Sequence, residues 1–468
     1  MPRQLLWFKL DLRLDDHPAV QAALHAECLL PVFVFDPDPP RGGPFAAARP
    51  SPRRLVFLRQ SLNALDQALR QRGSRLLVLQ GRAEQIIPAL VARLDLNGVV
   101  TLAEIAPDER AELTRVRATL GAVPLRELPG NDLLREDQLP LTVAELPTTF
   151  TPFRALVERQ IPLFQPVSAP QWLPPLPAGI EALLAQVAAL PDPEPVHAYS
   201  AFPFAGGETA ARQRLEQYLW RDPGVRQYKD TRNGLIGSDY SSKFSPWLAN
   251  GCLSPRRVMA ELQRHETQLG QNDSTYWLWV ELLWREFFRW TLVRHGGTLF
   301  RAGGLKEKAT WTATDERFGQ WCQGLTGVPL VDANMRELAA TGFMSNRGRQ
   351  VVASYLIHDL QQHWRYGASW FEAHLLDYDP ASNWGNWAYL AGVGNDPRSD
   401  RVFNTLRQAR QYDPDAAYIS LWLPELKAVP LALRHTPFLL PAGQLQALGY
   451  PRLATFPEAW RAYLPTQA

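Results

Sequence analysis

The residues best suited to chemistry lie in the second half of the chain. In Tyr276–Arg289, YWLWVELLWREFFR, Glu281, Trp284 and Arg285 fall at i, i+3 and i+4 and share one helical face. An amphipathic core helix with a salt bridge gives that pattern; a carboxylate beside an indole and a guanidinium also suits a planar polar ligand or a flipped base. Upstream, Ser241, Ser242, Lys243, Phe244 and Ser245 cluster hydroxyls and backbone amides ahead of a predicted helix start. Such a helix N-terminus suits an anion, and a diphosphate would fit. Taken alone, the segment reads as a capped helix in a polar loop. Further on come TGFMSNRGRQ (341–350) and LLDYDPASNWGNWAYLAGVGNDPRSDR (375–401). Asp379 before Pro380 reads as an N-cap with proline in the first turn. Asn383 and Trp387 then follow on successive turns of one face. Any one of these residues alone is an ordinary cap or core aromatic.

The elements that must position them divide the chain. Strand signals at Leu5–Lys9, Leu29–Asp36, Leu76–Leu79, Val99–Leu102 and Val123–Leu125 alternate with helices at Asp16–Glu27, Ser51–Gln71, Ala83–Leu94 and Pro107–Leu120. This predicts an α/β domain over residues 1–130, built on a doubly wound parallel five-stranded sheet. It carries no GxGxxG after its first strand and no Walker-type lysine loop. Residues 131–205 form a long Pro-rich connector with one helix near Ile180–Leu190. From residue 206 to 468 helical periodicity dominates, at Glu208–Leu219, Pro255–Gln268, Tyr276–His295, Asp315–Gln323, Asp332–Thr341, Gln350–Gln362 and Ala368–Leu376. A large all-α domain is expected there.

Composition narrows the function classes. A formal charge of +2 does not announce a nucleic-acid binder, although a local basic patch could serve. Cys28, Cys252 and Cys322 show neither metal-ligand spacing nor a disulfide framework, so no metal is expected. No apolar run approaches a membrane span, and Met1–Lys9 leads straight into a strand, so a cytoplasmic protein is expected. Of the 16 tryptophans, most lie beyond residue 270.

TGFMSNRGRQVVASYL, DYDPASNWGNW and AGVGNDPR resemble the DASH-type cryptochromes, a branch of the photolyase family, and WFKLDLRLDDHPA (7–19) resembles the family's opening strand and turn. The resemblance covers essentially the whole chain. It implies FAD bound in a U-shape inside the helical domain. Tyr228 and Ser241–Ser245 would hold the phosphates, and Arg285 would lie near the flavin. Asp377 and Asp379 would flank the pocket, with Arg349 paired to Asp377, and Asn383 would lie against flavin N5. An amide does not titrate near neutral pH, so a reduced anionic flavin is expected there. Trp387, Trp364 and Trp311 match the family's electron relay, whereas Trp279, Trp290 and Trp370 read as packing.

The implied partner is DNA carrying cyclobutane pyrimidine dimers. The lesion would be extruded into a pocket rimmed by Glu281, Trp284, Asn346, Arg347 and Tyr389, with Arg232 nearby. Glu281, its pKa raised by burial, would share a proton with the dimer carbonyl while an electron from excited reduced flavin splits the ring. Tyr389 stands where ordinary dimer photolyases carry a second tryptophan; its smaller stacking area points to single-stranded substrate. Arg398, Arg401, Arg407 and Arg410 would face the DNA. Ser345 and Asn346 occupy positions where enzymes for (6-4) lesions carry histidines. A methenyltetrahydrofolate antenna is implied, touching Glu104. The expected protein is a monomeric photolyase; the alternative is a blue-light photoreceptor that signals without efficient repair. Signalling cryptochromes often carry a long tail, and a chain ending at Ala468 favours the enzyme.

Overall fold

The structure, a computed structural model, describes residues 2–37, 50–184, 190–192, 195–306, 315–398 and 401–463. The chain packs as two compact units. The first comprises Met1–Glu194, Phe204–Lys229 and Ser242–Gly297, and the second Pro195–Pro203, Asp230–Ser241 and Thr298–Ala468.

The first unit opens with the α/β alternation expected from sequence: β1 (Arg3–Phe8), α1 (Pro18–Ala23), β2 (Cys28–Phe35), α2 (Pro52–Arg70), β3 (Leu77–Gln80), α3 (Ala83–Arg93), β4 (Gly98–Leu102), α4 (Pro107–Leu120) and β5 (Leu125–Leu128). The strands form one parallel sheet in the order β3-β2-β1-β4-β5, with Leu5 opposite Leu30 and Val99. The reversal of strand order at β1 is the doubly wound pattern. Leu5, Trp7, Leu30, Val32 and Val99 pack with Ile87 and Leu90 of α3 and Leu113 and Val116 of α4. Leu6, Phe8, Leu29 and Val100, which point the other way, are equally buried. That two-sided burial is why β1 and β2 read as nearly continuous apolar runs.

Residues Phe150–Val157 (α5), Glu181–Leu184 (α6), Glu208–Glu216 (α7), Tyr228–Thr231 (α8), Ser245–Ala249 (α9), Pro255–Leu269 (α10) and Asp273–His295 (α11) follow. The second unit is helical: α12 (Glu316–Gln323), α13 (Pro329–Thr341), α14 (Asn346–Ser354), α15 (Trp364–His374), α16 (Pro380–Leu390), α17 (Thr405–Tyr412) and α18 (Ala417–Trp422).

Several boundaries differ from the sequence reading. The last strand starts at Leu125 rather than Val123: Pro124 has no N–H to offer a ladder and contributes only its carbonyl, to the Val99 N–H at 2.9 Å. The helix expected over Ile180–Leu190 is one turn at Glu181–Leu184, and residues 185–189 lie outside the described residues. The helix expected over Gln350–Gln362 begins earlier, where Ser345 caps it by accepting from the Gly348 N–H at 3.0 Å, and gives way to a wide π turn at Tyr355–Asp359. The helix expected from Ala368 starts a turn sooner at Trp364, where the His363 ring caps the Arg365 N–H. Among the described residues no helix is long and apolar enough to cross a membrane, and no group of side chains has metal-binding geometry.

Candidate functional site

In the second unit the candidate residues converge around α14, α15 and α16. α13 ends at Gly342, in the left-handed region at φ 71°, where a Cβ would come within 2.9 Å of Leu376 Cγ; the Gly342 carbonyl takes the Leu376 N–H at 2.9 Å. This closure brings the start of α14 beside the chain leading into α16. Arg349 can therefore donate from Nε to the Met344 carbonyl at 3.0 Å and from Nη2 to Asp377 Oδ2 at 2.9 Å. Asp377 is buried, and its Oδ1 has no hydrogen-bond partner among the described residues. An open, buried carboxylate oxygen beside a guanidinium is costly unless a polar ligand completes it.

Asp379 caps α16 as its sequence suggests, Oδ1 taking the Ser382 N–H at 2.7 Å with Pro380 in the first turn. Asn383, one turn on, is buried and donates from Nδ2 to the Ala368 carbonyl of α15 at 3.0 Å. Trp387 follows on the same face. Its ring rests on Gly367, where a Cβ would stand 2.2 Å from Cη2, and meets Phe371 edge-on at 5.1 Å and Trp321 at 6.3 Å. Trp364, fully buried, donates its indole N–H to the Ala302 carbonyl at 3.0 Å. Trp311 lies outside the described residues.

The same unit gathers a basic cluster. Burial holds the Arg347 pKa below its usual range, with the charges of Arg232 and Arg401 adding to the effect, which places the three guanidinium groups in one field. Arg347 donates to Asn233 Oδ1 at 2.9 Å and lies 4.7 Å over the Tyr412 ring. Arg401 is held by Asp396 at 2.8 Å, donates to the Tyr389 hydroxyl at 3.0 Å, and covers the phenol ring at 4.8 Å. Burial pushes the Tyr389 hydroxyl pKa up, against the pull of Arg401. Arg398 and Asn346 are exposed, as are Arg407 and Arg410 on α17. Neither the clamp of Arg401 on Tyr389 nor the open oxygen of Asp377 has a local sequence signal, because each depends on a tertiary contact.

The first unit holds the remaining candidates. Glu281, Trp284 and Arg285 share the half-buried face of α11. The Trp284 ring stacks on Phe150 at 3.7 Å, and Arg285 donates to the Asn131 carbonyl at 3.1 Å. Tyr228 is buried at the start of α8, and the Ser242 carbonyl accepts from Arg214 Nε at 3.0 Å. Lys243 is buried with φ at 61°, strained for a residue with a Cβ, and Phe244 is buried beside it. Ser245 opens α9, which has only five residues, so the helix-terminus argument for an anion carries little weight there. Ser241 belongs to the second unit. Glu104 sits 3.5 Å from Lys9, whose Nζ also donates to Thr101 Oγ1 and the Leu102 carbonyl. Burial raises the Glu104 pKa, while Lys9 opposes the rise.

Sequence reasoning passed over Glu286, the next residue on α11. It is fully buried and accepts from the Leu133 and Leu134 N–H groups, each at 3.0 Å, and from the Trp290 indole at 3.0 Å. Burial and the nearby Asp132 raise its pKa. Arg289, one turn on, binds Asp132 at 2.6 Å. The local signal was a carboxylate on the apolar face of a long helix.

Comparison with known proteins bears on what these clusters serve. A family model described as the FAD binding domain of DNA photolyase matches residues 277–461, and one described as DNA photolyase matches residues 4–174. Cryptochrome DASH of Gloeobacter violaceus is 48% identical over 94% of this chain and 89% of its own length. Cryptochrome DASH of Natronomonas pharaonis is 43% identical over 98% of both. The crystal structure of the Synechocystis sp. cryptochrome, 41% identical, superposes with a TM-score of 0.90 over 97% of both chains. A bacterial class III photolyase from Agrobacterium tumefaciens, 27% identical, gives 0.80 over 99% of this chain and 96% of its own.

Proposed function

The chain belongs to the photolyase family, in its cryptochrome DASH branch, as an FAD-binding protein of photolyase type; on that premise we propose that it repairs cyclobutane pyrimidine dimers, mainly in single-stranded DNA, under blue light. The carrying observation is the Arg349–Asp377 pair, with its open buried oxygen next to the cap of the helix that bears Asn383 and Trp387.

Bound FAD supplies photo-driven one-electron chemistry. The chain's own residues supply the rest. Asp377 and Arg349 present a polar edge of fixed charge geometry, with Asp379 behind it as the helix cap. Asn383, held at its nitrogen by Ala368, offers an amide that neither gives nor takes a proton near neutral pH. Tyr228 and the run Ser241–Ser245 would hold the phosphates and adjoining groups, and Arg285 would lie near the flavin. Trp387, Trp364 and Trp311 carry electrons inward from the surface. Glu281 would share a proton with the dimer carbonyl, Trp284, Asn346, Arg347, Tyr389 and Arg232 would serve the lesion, and Arg398 and Arg401 would meet phosphates.

The clamp on Tyr389 supports the single-strand preference. One face of the phenol is covered by Arg401, so little aromatic area is left to offset the cost of flipping a lesion out of a duplex. Glu104, beside Lys9, is the residue proposed to touch a 5,10-methenyltetrahydrofolate antenna. The test is dimer repair by the FAD-loaded protein under blue light, on one oligonucleotide supplied single-stranded and as a duplex. Faster repair of the single strand is expected. Equal rates would refute the preference, and absence of repair on both would leave the light-sensing role in its place.

A further inference from the structure

We propose that Trp384 is a redox branch of the tryptophan relay, with Glu372 as its proton acceptor; this rests on the relay reading above. The observation is a difference in where three neighbouring indole N–H groups point. Trp364 donates to the Ala302 carbonyl at 3.0 Å, and Trp321, which adjoins Trp387, donates to the Val352 carbonyl at 3.0 Å. A peptide carbonyl is a feeble base and cannot take a proton from an oxidised indole. Trp384 is different. Its ring meets Trp364 edge-on, centroids 5.7 Å apart, and its Nε1–H points at Glu372 Oε2 at 3.3 Å.

The placement follows from the packing of α15 and α16. Trp364 and Glu372 stand on α15 two turns apart, and Trp384 reaches over from α16 to touch both. Phe300 covers the indole at 5.0 Å, and the ring is buried, while Glu372 is half-buried and able to pass a proton to water. An indole stripped of one electron becomes about as acidic as a carboxylic acid, so a carboxylate in hydrogen-bond reach that can pass the proton to water converts a reversible hop into a trapped one.

The step balances. Bound FAD, photo-excited, would supply the oxidant, and Trp364 would give up one electron by way of Trp387. Trp384 then gives one electron to the Trp364 radical cation, restoring that indole. The Trp384 radical cation loses its Nε1 proton to Glu372 Oε2, leaving a neutral tryptophanyl radical and a glutamic acid. An external thiol reductant returns one hydrogen atom equivalent to Trp384.

The test follows tryptophan radicals by flash absorption in the FAD-loaded protein and in three variants, each checked for retained flavin. Trp387→Phe is expected to abolish the tryptophan radicals. Glu372→Gln, which changes no ring, is expected to leave the radical cation forming at the normal rate and to slow its loss of the proton roughly tenfold or more. Trp384→Phe is expected to lower the yield of long-lived neutral radical severalfold. Should Trp387→Phe still give the radicals, the relay reading itself fails. Should Trp387→Phe abolish them while Glu372→Gln and Trp384→Phe both match the wild type, the relay stands and the branch is overturned; if Trp384→Phe does not retain flavin, Glu372→Gln decides alone.

Discussion

Glu286 in the first unit and Asp377 in the second are both buried carboxylates, yet their oxygens are used in opposite ways. Glu286 accepts three hydrogen bonds, two from the backbone that leaves the sheet and one from Trp290. Asp377 spends one oxygen on Arg349 and keeps the other open. A fully used carboxylate is a fastener. A half-used one, kept in a protein that gains nothing from an unmet polar atom, marks a place for something else.

The largest effect should come from loosening the fastener. Glu286→Gln exchanges one acceptor oxygen for an NH2 group that faces N–H donors, and should cost about 2–4 kcal/mol in urea unfolding of the FAD-free protein. Asp377→Asn keeps an acceptor for Arg349 and should cost about 1 kcal/mol or less in the same experiment, while weakening FAD retention on gel filtration. Equal stability losses in the two variants, with FAD binding intact in Asp377→Asn, would erase the distinction.

Next in size is Gly367→Ala. The methyl would press on Trp387 Cη2 and on Leu356 Cδ2, 2.6 Å away, and both side chains are buried. A loss of about 1–3 kcal/mol is expected from overpacking, with slower flavin photoreduction because Trp387 is displaced. A stability loss with unchanged photoreduction would show that the ring position is not critical to the relay.

How much of this was legible beforehand follows from the range of each interaction. The sheet and the helices announced themselves through period and punctuation, as with Pro52 and Pro107 at helix starts. The Asp379 cap was equally local. The resemblance supplied the pairing of Arg349 with Asp377, which spacing alone could not. Glu286 was hidden because a buried acid within an apolar helix face looks like noise until its two backbone donors, Leu133 and Leu134, are in place. The π turn at Tyr355–Asp359 was hidden as well, because its residues carry no breaker to set it apart from the α-helix before it.

A third carboxylate sharpens the comparison. Asp359 closes that π turn, and its Oδ2 is buried with no hydrogen-bond partner among the described residues. Unlike Asp377, it has no ion pair among them; burial alone pushes its pKa up to about 7. The native state therefore holds a proton that the unfolded state releases near pH 4, and the stability linked to that proton is lost as pH rises toward 7. Asp359→Asn should remove this dependence, leaving stability unchanged near pH 4 and raising it by about 1–3 kcal/mol at pH 8. Parallel stability profiles for variant and wild type between those limits would mean the open oxygen finds water.

The smallest expected effect concerns a cluster in which the polar groups are paired. Tyr389, Arg401 and Asp396 form a chain in which the phenol oxygen accepts from Arg401 and Arg401 is gripped by Asp396. Tyr389→Phe deletes the hydroxyl's links to Arg401 and Asp396 and leaves the ring face and the Arg401–Asp396 ion pair in place. Stability should fall by about 0.5–1.5 kcal/mol, and binding of a dimer-containing single strand, read by fluorescence anisotropy at fixed salt, should weaken by only a few-fold. The salt dependence of that binding should keep its slope, since no phosphate contact is lost. A loss beyond tenfold with a shallower slope would show that the hydroxyl, rather than Asp396, sets where Arg401 meets the DNA.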